Sequence, residues 1–332
     1  MFSVGIVGCG GIAQVHAAAL ARIEGVKLAA CADVKPARAD RMAADYGCRA
    51  YASLDAMLDA EALDALHICT PHYLHTPMAE AAARRGIAVF TEKPPVIDRA
   101  QWRRLEAVAE RVPLGICFQN RYNGSVRAAR EILRSGEFGA PVGARAFVTW
   151  SRDAAYYHDS GWRGAWATEG GGALINQSIH TLDLLIWLLG GARRVEARLS
   201  NHHLRGAIEV EDTVEAYLEP GGHPALFYAS TAYTSDAPIF LEIQLERAAL
   251  RITGDALDVV ADGSTRHVDA QTASAPGKDY WGSGHLPCIA DFYRSLGEGA
   301  PYQNDLASVR DTMDAVLRIY EQAGGALGRA NA

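Results

Sequence analysis

The sequence predicts an α/β chain in which a parallel sheet covered by helices is followed by a second, β-rich α+β domain. Three observations carry this. The 332 residues exceed the roughly 100–200 of one average domain. From Ser3 to Phe118, short apolar runs alternate with longer helical patterns, the order of a parallel sheet whose crossovers are helices. Past Arg121 that grammar changes, and the later strand-like runs, with no long crossover helices between them, should pair mainly antiparallel. The expected domains are therefore 1–121 and 122–332.

The first domain's candidate strands are Val4 to Val7, Val26 to Ala32, Ala65 to Cys69, Ile87 to Phe90 and Leu114 to Phe118. Each is almost continuously apolar, as a strand covered on both faces should be. Helical patterns at Gly11 to Arg22, Pro36 to Tyr46, Pro77 to Arg85 and Arg99 to Arg111 fill the gaps. In the second domain a helix at Ser125 to Ser135 precedes β-rich runs, which a helix at Gln177 to Leu189 interrupts. Strand-like segments follow at Arg194 to Asn201, Thr213 to Leu218, Ala225 to Thr231, Ile239 to Leu245 and Leu250 to Thr253, and helices at Leu286 to Leu296 and Leu306 to Gln322 close the chain.

Composition narrows the function classes. At 49% hydrophobic and 21% charged residues the chain can bury a sizeable core, which excludes disorder and fibrous architectures. A net charge of -7 offers no basic footprint for nucleic acid or an anionic membrane surface, so a small molecule is the expected partner. The six cysteines are widely spaced with no paired CxxC pattern, so free thiols in a reducing compartment, the cytoplasm, are expected. No secretory leader or membrane-length apolar stretch is read, and no histidine and carboxylate set has metal-ligand spacing.

Gly8, Gly10 and Gly11, with Ile12 and Ala13, form a GxGxxA loop directly after the first strand and at the start of a helix. The first glycine permits the tight turn, the second lets backbone approach a pyrophosphate, and the small third residue lets the helix pack on its strand. The anion then sits on the free N–H groups of that helix. Asp33 closes the next strand, 20 residues after Ala13, where a carboxylate accepts from an adenosine ribose 2'-OH and repels a 2'-phosphate. This predicts a dinucleotide site that prefers NAD to NADP, although Lys35 and Arg38 each offer a cation to a phosphate. The alternative for Asp33 is a helix cap before Pro36.

Glu92, Lys93, Pro94 and Pro95 follow another strand, at the carboxyl end where ligands bind in open α/β sheets. The prolines stiffen the backbone around Lys93, whose ammonium is suited to stabilise an alkoxide as hydride leaves. A solvated lysine paired with Glu92 is the competing reading.

Gly170, Gly171 and Gly172 allow close backbone approach before the apolar stretch that carries Asn176, His180 and Asp183. On a helix starting near Asn176, steps of 100° bring these three within roughly 60° of one another, a single polar stripe on a buried helix. Either His180 is a core histidine satisfied by Asp183, or the stripe faces a cavity where the imidazole handles a proton. Trp150 to Trp166 interleaves aromatics, Tyr156 and Trp162 among them, with polar groups including Arg163, a mixture that suits a sugar. An aromatic core loop is the alternative.

Together these residues resemble the Gfo/Idh/MocA family of nicotinamide-dependent sugar and cyclitol oxidoreductases. The resemblance rests on Gly8 to Ala13, Glu92-Lys93-Pro94, Gly170-Gly171-Gly172 with His180 and Asp183, and Ile289-Ala290-Asp291-Phe292. It implies a Rossmann domain, a second domain with a large open sheet, a substrate pocket between them, and Lys93 with His180 as the catalytic pair. Many members carry Asp four residues before the histidine, where this chain has Asn176. An amide can orient an imidazole or bind a hydroxyl but cannot stabilise imidazolium by charge, so His180 would rely on Asp183, or Lys93 would accept the proton.

The expected catalytic set is thus Lys93, His180 and Asn176. The cofactor set is Gly8, Gly10, Gly11, Ile12, Ala13, Asp33, Arg38, Thr70, Pro71, His75, Glu92, Lys93, Gln119 and Arg163. The substrate set is Lys93, Tyr156, Trp162, Arg163, Asn176 and His180. A homodimer or homotetramer through the C-terminal sheet is expected. The rival functions are an NAD-dependent glycoside hydrolase using transient redox and a non-catalytic NAD and sugar sensor.

Overall fold

The structure, a computed structural model, describes residues 1–269 and 283–330. The chain divides into two units. The first holds Met1–Gln119 and Gly284–Ser308; the second holds residues 120–269, 283 and 309–330.

In the first unit six parallel strands form a sheet: β1 (Phe2–Val7), β2 (Val26–Ala32), β3 (Arg49–Tyr51), β4 (Ala65–Ile68), β5 (Ala88–Thr91) and β6 (Leu114–Ile116). Their spatial order is β3-β2-β1-β4-β5-β6, the doubly wound order of a Rossmann fold. β4, β5 and β6 are buried at every position, which is why their sequences do not alternate. The crossovers are α1 (Gly11–Leu20), α2 (Pro36–Tyr46), α3 (Leu54–Ala60), α4 (His75–Ala83) and α5 (Arg99–Ala109). α2 opens on Pro36 and closes on a left-handed Gly47, and the Asp98 carboxylate caps α5 by accepting from Gln101 N–H at 2.7 Å. β3 and α3 lie outside the expected elements. Three residues of strand leave almost no periodicity to read, though Ser53, which caps α3, is a start signal.

The second unit carries an eight-stranded sheet. Its strands are β7 (Pro141–Thr149), β8 (Ala192–Ser200), β9 (Thr213–Pro220), β10 (Ala225–Ser230), β11 (Phe240–Leu245), β12 (Ala249–Thr253), β13 (Ala256–Ala261) and β14 (Ser264–Val268), in the order β14-β13-β12-β11-β7-β10-β9-β8. All pairings are antiparallel except β7 with β10. Helices α6 (Gly124–Ser135) and α8 (Ile179–Leu189) pack against it, and a five-residue α7 (Ala154–His158) sits in the aromatic loop.

One helix differs from the expected partition. The helix α9 (His285–Glu298), expected in the second domain, belongs to the first unit, where it packs on α1 and Phe292 meets Phe90 at 5.1 Å between ring centroids. Phe292 also covers Gly115, where a Cβ would stand 2.7 Å from its ring. An amphipathic pattern reveals a buried face but not which layer that face will cover. The last helix, α10, runs Leu306–Ala330. Among the described residues no helix is long and apolar enough to cross a membrane.

Candidate functional site

The glycine loop joins β1 to α1 as expected. Gly8 has φ +84°, and a Cβ there would meet the Cys69 carbonyl oxygen at 2.7 Å, so the tight turn requires glycine twice over. Gly10 precedes α1 and Gly11 begins it, and a Cβ on either would meet nothing within 4 Å. The helix therefore presents its unbonded N–H groups to an open space that side chains at Gly10 and Gly11 would fill. This fits a pyrophosphate. Ala13 is fully buried and Ile12 half-buried.

Asp33 lies at the end of β2, almost buried. Its Oδ2 accepts from Cys9 N–H at 2.8 Å and its Oδ1 from Lys35 N–H at 2.7 Å. The carboxylate thus ties the glycine loop to the β2 turn, and each oxygen retains a lone pair for a further donor. It is not the cap of α2, because that position falls on Lys35. Lys35 and Arg38 are exposed.

Thr70 and Pro71 follow β4 and are half-buried. His75 is almost wholly buried, with Nδ1 2.7 Å from the Pro94 carbonyl and Nε2 2.9 Å from the Thr70 carbonyl. Burial lowers its pKa, so the ring is neutral at pH 7 and donates to one carbonyl at a time. His75 therefore braces two strand-end loops. Gln119 is also buried, at the start of a 3-10 turn.

Lys93 is half-buried just past β5, and its backbone N–H donates to Glu92 Oε2 at 3.2 Å. Glu92 is buried and its Oε1 lies 2.9 Å from His16 Nε2. The competing picture of a solvated pair is thus removed from the Glu92 side. A buried chain runs on: His16 Nδ1 to His67 Nδ1 at 2.8 Å, and His67 Nε2 to the Tyr293 hydroxyl at 2.9 Å. Burial opposes ionisation of Glu92, yet its hydrogen bond with His16, with His285 and Lys93 nearby, holds the carboxyl well below the usual range. Burial pushes His67 well down.

More than one proton arrangement satisfies these links, and in one of them both imidazoles are neutral. In that arrangement Tyr293 donates to His67 Nε2, His67 Nδ1–H donates to His16 Nδ1, and His16 Nε2–H donates to anionic Glu92. His16, Glu92 and Cys117 bring ligand atoms within 4.8 Å of one another, a grouping not anticipated from spacing. Burial raises the Cys117 thiol well above its ordinary pKa, so with no cation beside it the thiol is protonated.

In the second unit, the helix around His180 is not built as expected. It begins at Ala173 with a π-helical stretch, Ala173–Ser178, before α8 starts at Ile179. The Ser178 hydroxyl donates to the Ala173 carbonyl, five residues back, at 2.7 Å. The glycines explain the tight entry: a Cβ on Gly171 would stand 1.9 Å from the Tyr320 hydroxyl, and one on Gly172 2.1 Å from the Glu211 carbonyl oxygen.

The change of helix type breaks the 100° stripe. Asp183 is fully buried, and its carboxylate accepts from Arg121 Nε at 2.8 Å, Arg121 Nη2 at 2.6 Å and Thr312 Oγ1 at 2.7 Å. It does not serve His180, which is half-buried, so both readings that lean on Asp183 as the histidine's partner are corrected.

Asn176 instead meets Glu169, a residue that sequence reasoning missed. Asn176 Nδ2 donates to Glu169 Oε1 at 2.5 Å, and Gly164 N–H donates to Glu169 Oε2 at 2.5 Å. Burial raises Glu169 to about 7, against the Gly164 and Asn176 hydrogen bonds. Burial does the same to Glu211, which accepts from Gly172 and Leu174 N–H and from the Tyr320 hydroxyl.

The half-buried aromatic loop lies over this region's polar groups. Tyr156 accepts from Gln177 Nε2 at 2.8 Å, and Arg163 stands 4.5 Å from the Tyr156 ring centroid and 4.8 Å from that of Trp162. Stacked guanidinium and aromatic faces with hydroxyl and amide edges are a surface a carbohydrate can use.

Comparison with known proteins agrees with this geometry. Residues 2–116 match the GFO/IDH/MocA family model described as an oxidoreductase family with an NAD-binding Rossmann fold, and residues 126–254 match the family's C-terminal domain. The chain belongs to the GFO/IDH/MocA family. Among the family's curated proteins, the inositol 2-dehydrogenase of Rhizobium meliloti is 32% identical over 188 residues, 56% of this chain and 54% of its own length. The D-apiose dehydrogenase of Paraburkholderia graminis is 28% identical over 262 residues, 76% of this chain and 68% of its own length. The matched region spans little more than half of the first of these GFO/IDH/MocA relatives. The WlbA dehydrogenase of Bordetella pertussis, solved in complex with NADH and UDP-GlcNAcA, has a TM-score of 0.84 at 29% identity, covering 97% of this chain and 96% of its own.

Proposed function

We propose that this GFO/IDH/MocA chain is an NAD-dependent dehydrogenase of a sugar, sugar derivative or cyclitol, interconverting a secondary alcohol and its ketone. The observation that carries the reading is the open N-terminus of α1 behind Gly10 and Gly11, with Asp33 anchored beside it. The activities named for the inositol and apiose relatives support the substrate class. When bound, the nicotinamide takes or returns the hydride.

The chain's own residues handle binding and the proton. Gly8, Gly10, Gly11, Ile12 and Ala13 hold the pyrophosphate, and Asp33 the adenosine ribose. Thr70, Pro71 and Gln119 line the strand ends, with His75 and Glu92 bracing them. Lys93 stabilises the developing alkoxide, His180 takes the hydroxyl proton, and the Asn176 amide orients the reacting group. Tyr156, Trp162 and Arg163 supply the sugar-facing surface.

Asp33 favours NAD over NADP, because a 2'-phosphate would meet a carboxylate. Asp33→Ser should weaken NAD binding about tenfold while changing NADP little, measured by titration. The buried free thiols favour a reducing compartment, the cytoplasm. Phe147, Leu226, Tyr228 and Phe240 stand on the outward face of the second unit's sheet and support association of copies there.

The test is an absorbance screen at the NADH band across sugars, inositols and their keto forms, with both cofactors. Cleavage of a glycoside without NADH accumulation would replace this reading with transient-redox hydrolysis. Tight binding of NAD and sugar with no turnover would replace it with sensing.

A further inference from the structure

Glu169 immediately precedes the triple glycine, is fully buried, and uses both carboxylate oxygens as acceptors, one for Gly164 N–H and one for Asn176 Nδ2. A carboxamide is planar, and its nitrogen and oxygen diverge by about 120°. Committing the nitrogen to the Glu169 carboxyl oxygen therefore points Oδ1 the other way. We propose that Glu169 is a positioning residue that fixes the Asn176 amide so that Asn176 offers the reaction site a hydrogen-bond acceptor. This rests on the reading of Asn176 as part of that site.

The pair also constrains what position 176 can be. An aspartate there would face Glu169 across 2.5 Å of buried space, and two carboxylates so close cannot both ionise. Conversely, Glu169→Gln leaves a single acceptor for two donors, so either Gly164 N–H or the Asn176 amide faces an NH2 group. The two changes made together restore the match. The new amide at 169 donates to the new carboxylate at 176 and keeps its oxygen for Gly164.

The test is this double-substitution cycle, read by melting temperature and by steady-state kinetics at pH 8, on the alkaline side of Glu169. Asn176→Asp should lower Tm by roughly 5 °C, Glu169→Gln alone should change Tm little because it also removes a buried charge, and the pair should recover most of the Asn176→Asp loss. In the kinetics, Glu169→Gln should lower kcat at least tenfold with KM for NAD within twofold, and the pair should regain much of that loss. Coupling in Tm with parent-like kcat in Glu169→Gln overturns the positioning role and leaves the dehydrogenase reading intact. Absence of coupling in Tm overturns the pairing itself. A parent that turns over none of the screened polyols sinks the proposed activity first, and the positioning role with it.

Discussion

Asp183 is the residue whose expected role the structure changes most, and its removal has a calculable effect. Both members of the Arg121–Asp183 pair are essentially without solvent contact, joined by two hydrogen bonds of 2.8 and 2.6 Å, with Thr312 adding a third at 2.7 Å. In Asp183→Ala the buried Arg121 charge loses the Asp183 carboxylate and its two hydrogen bonds, which costs about 3–5 kcal/mol. At about 2–4 °C per kcal/mol for a unit of this size, Tm should fall by roughly 6–20 °C. Asp183→Asn keeps the shape but turns an NH2 group toward the guanidinium, so most of the loss should remain. The assay is thermal unfolding of parent and variants followed by circular dichroism at pH 7.5. A fall of less than about 2 °C would refute the reasoning. A second readout separates the two roles: in a variant that stays folded at 20 °C, the pH–rate profile should keep its midpoint, because Asp183 does not touch His180. A displaced midpoint would return Asp183 to the histidine.

Three further outcomes are expected. Lys93→Met should leave NAD affinity within a few-fold of the parent while turnover falls about 10² or more, the scale of a lost electrostatic or acid/base group; near-parent turnover would make Lys93 a surface residue. Gly10→Ala should leave Tm unchanged, since its Cβ meets nothing within 4 Å, yet weaken NAD binding by intruding on the pyrophosphate space, whereas Gly8→Ala should lower Tm itself; equal NAD affinity in Gly10→Ala would place the cofactor elsewhere. Glu169, raised from 4.5 to about 7 by burial, holds its proton more tightly folded than unfolded, so its contribution is full below about pH 4.5 and is lost as pH rises through 7, a change of about 3 kcal/mol. Tm should therefore decline from pH 5 to pH 8, less steeply in Glu169→Gln, and parallel curves would count against it.

What could be read from the sequence divides along a physical line. Strands such as β4 and β5 were legible because burial on both faces is written into every residue, and the glycine loop because strand, turn and helix must follow one another in a few positions. Local chemistry with a short range leaves a local signature. β14 is not legible because it is a largely exposed edge strand whose residues need not be apolar.

The site's hydrogen-bond partners are a different matter. The sequence marks Asn176, His180 and Asp183 as polar groups on an apolar helix, but the single stripe expected of them holds only for a regular α-helix. One π-helical turn changed the angles, and the partner that claims Asp183 lies 62 residues away on Arg121, while Glu169 sits beyond the glycine run. The chain Tyr293–His67–His16–Glu92 is assembled across 226 and 51 residues in the same way. A hydrogen-bonding side chain announces in sequence that it will need a partner, and burial makes that need strict. Which partner answers, and therefore which atom is left facing a ligand, is decided by tertiary contacts that carry no fixed spacing. For this reason the identity at position 176 is best understood together with Glu169: an amide is the residue that can donate to a buried carboxylate and still present an acceptor on its other side.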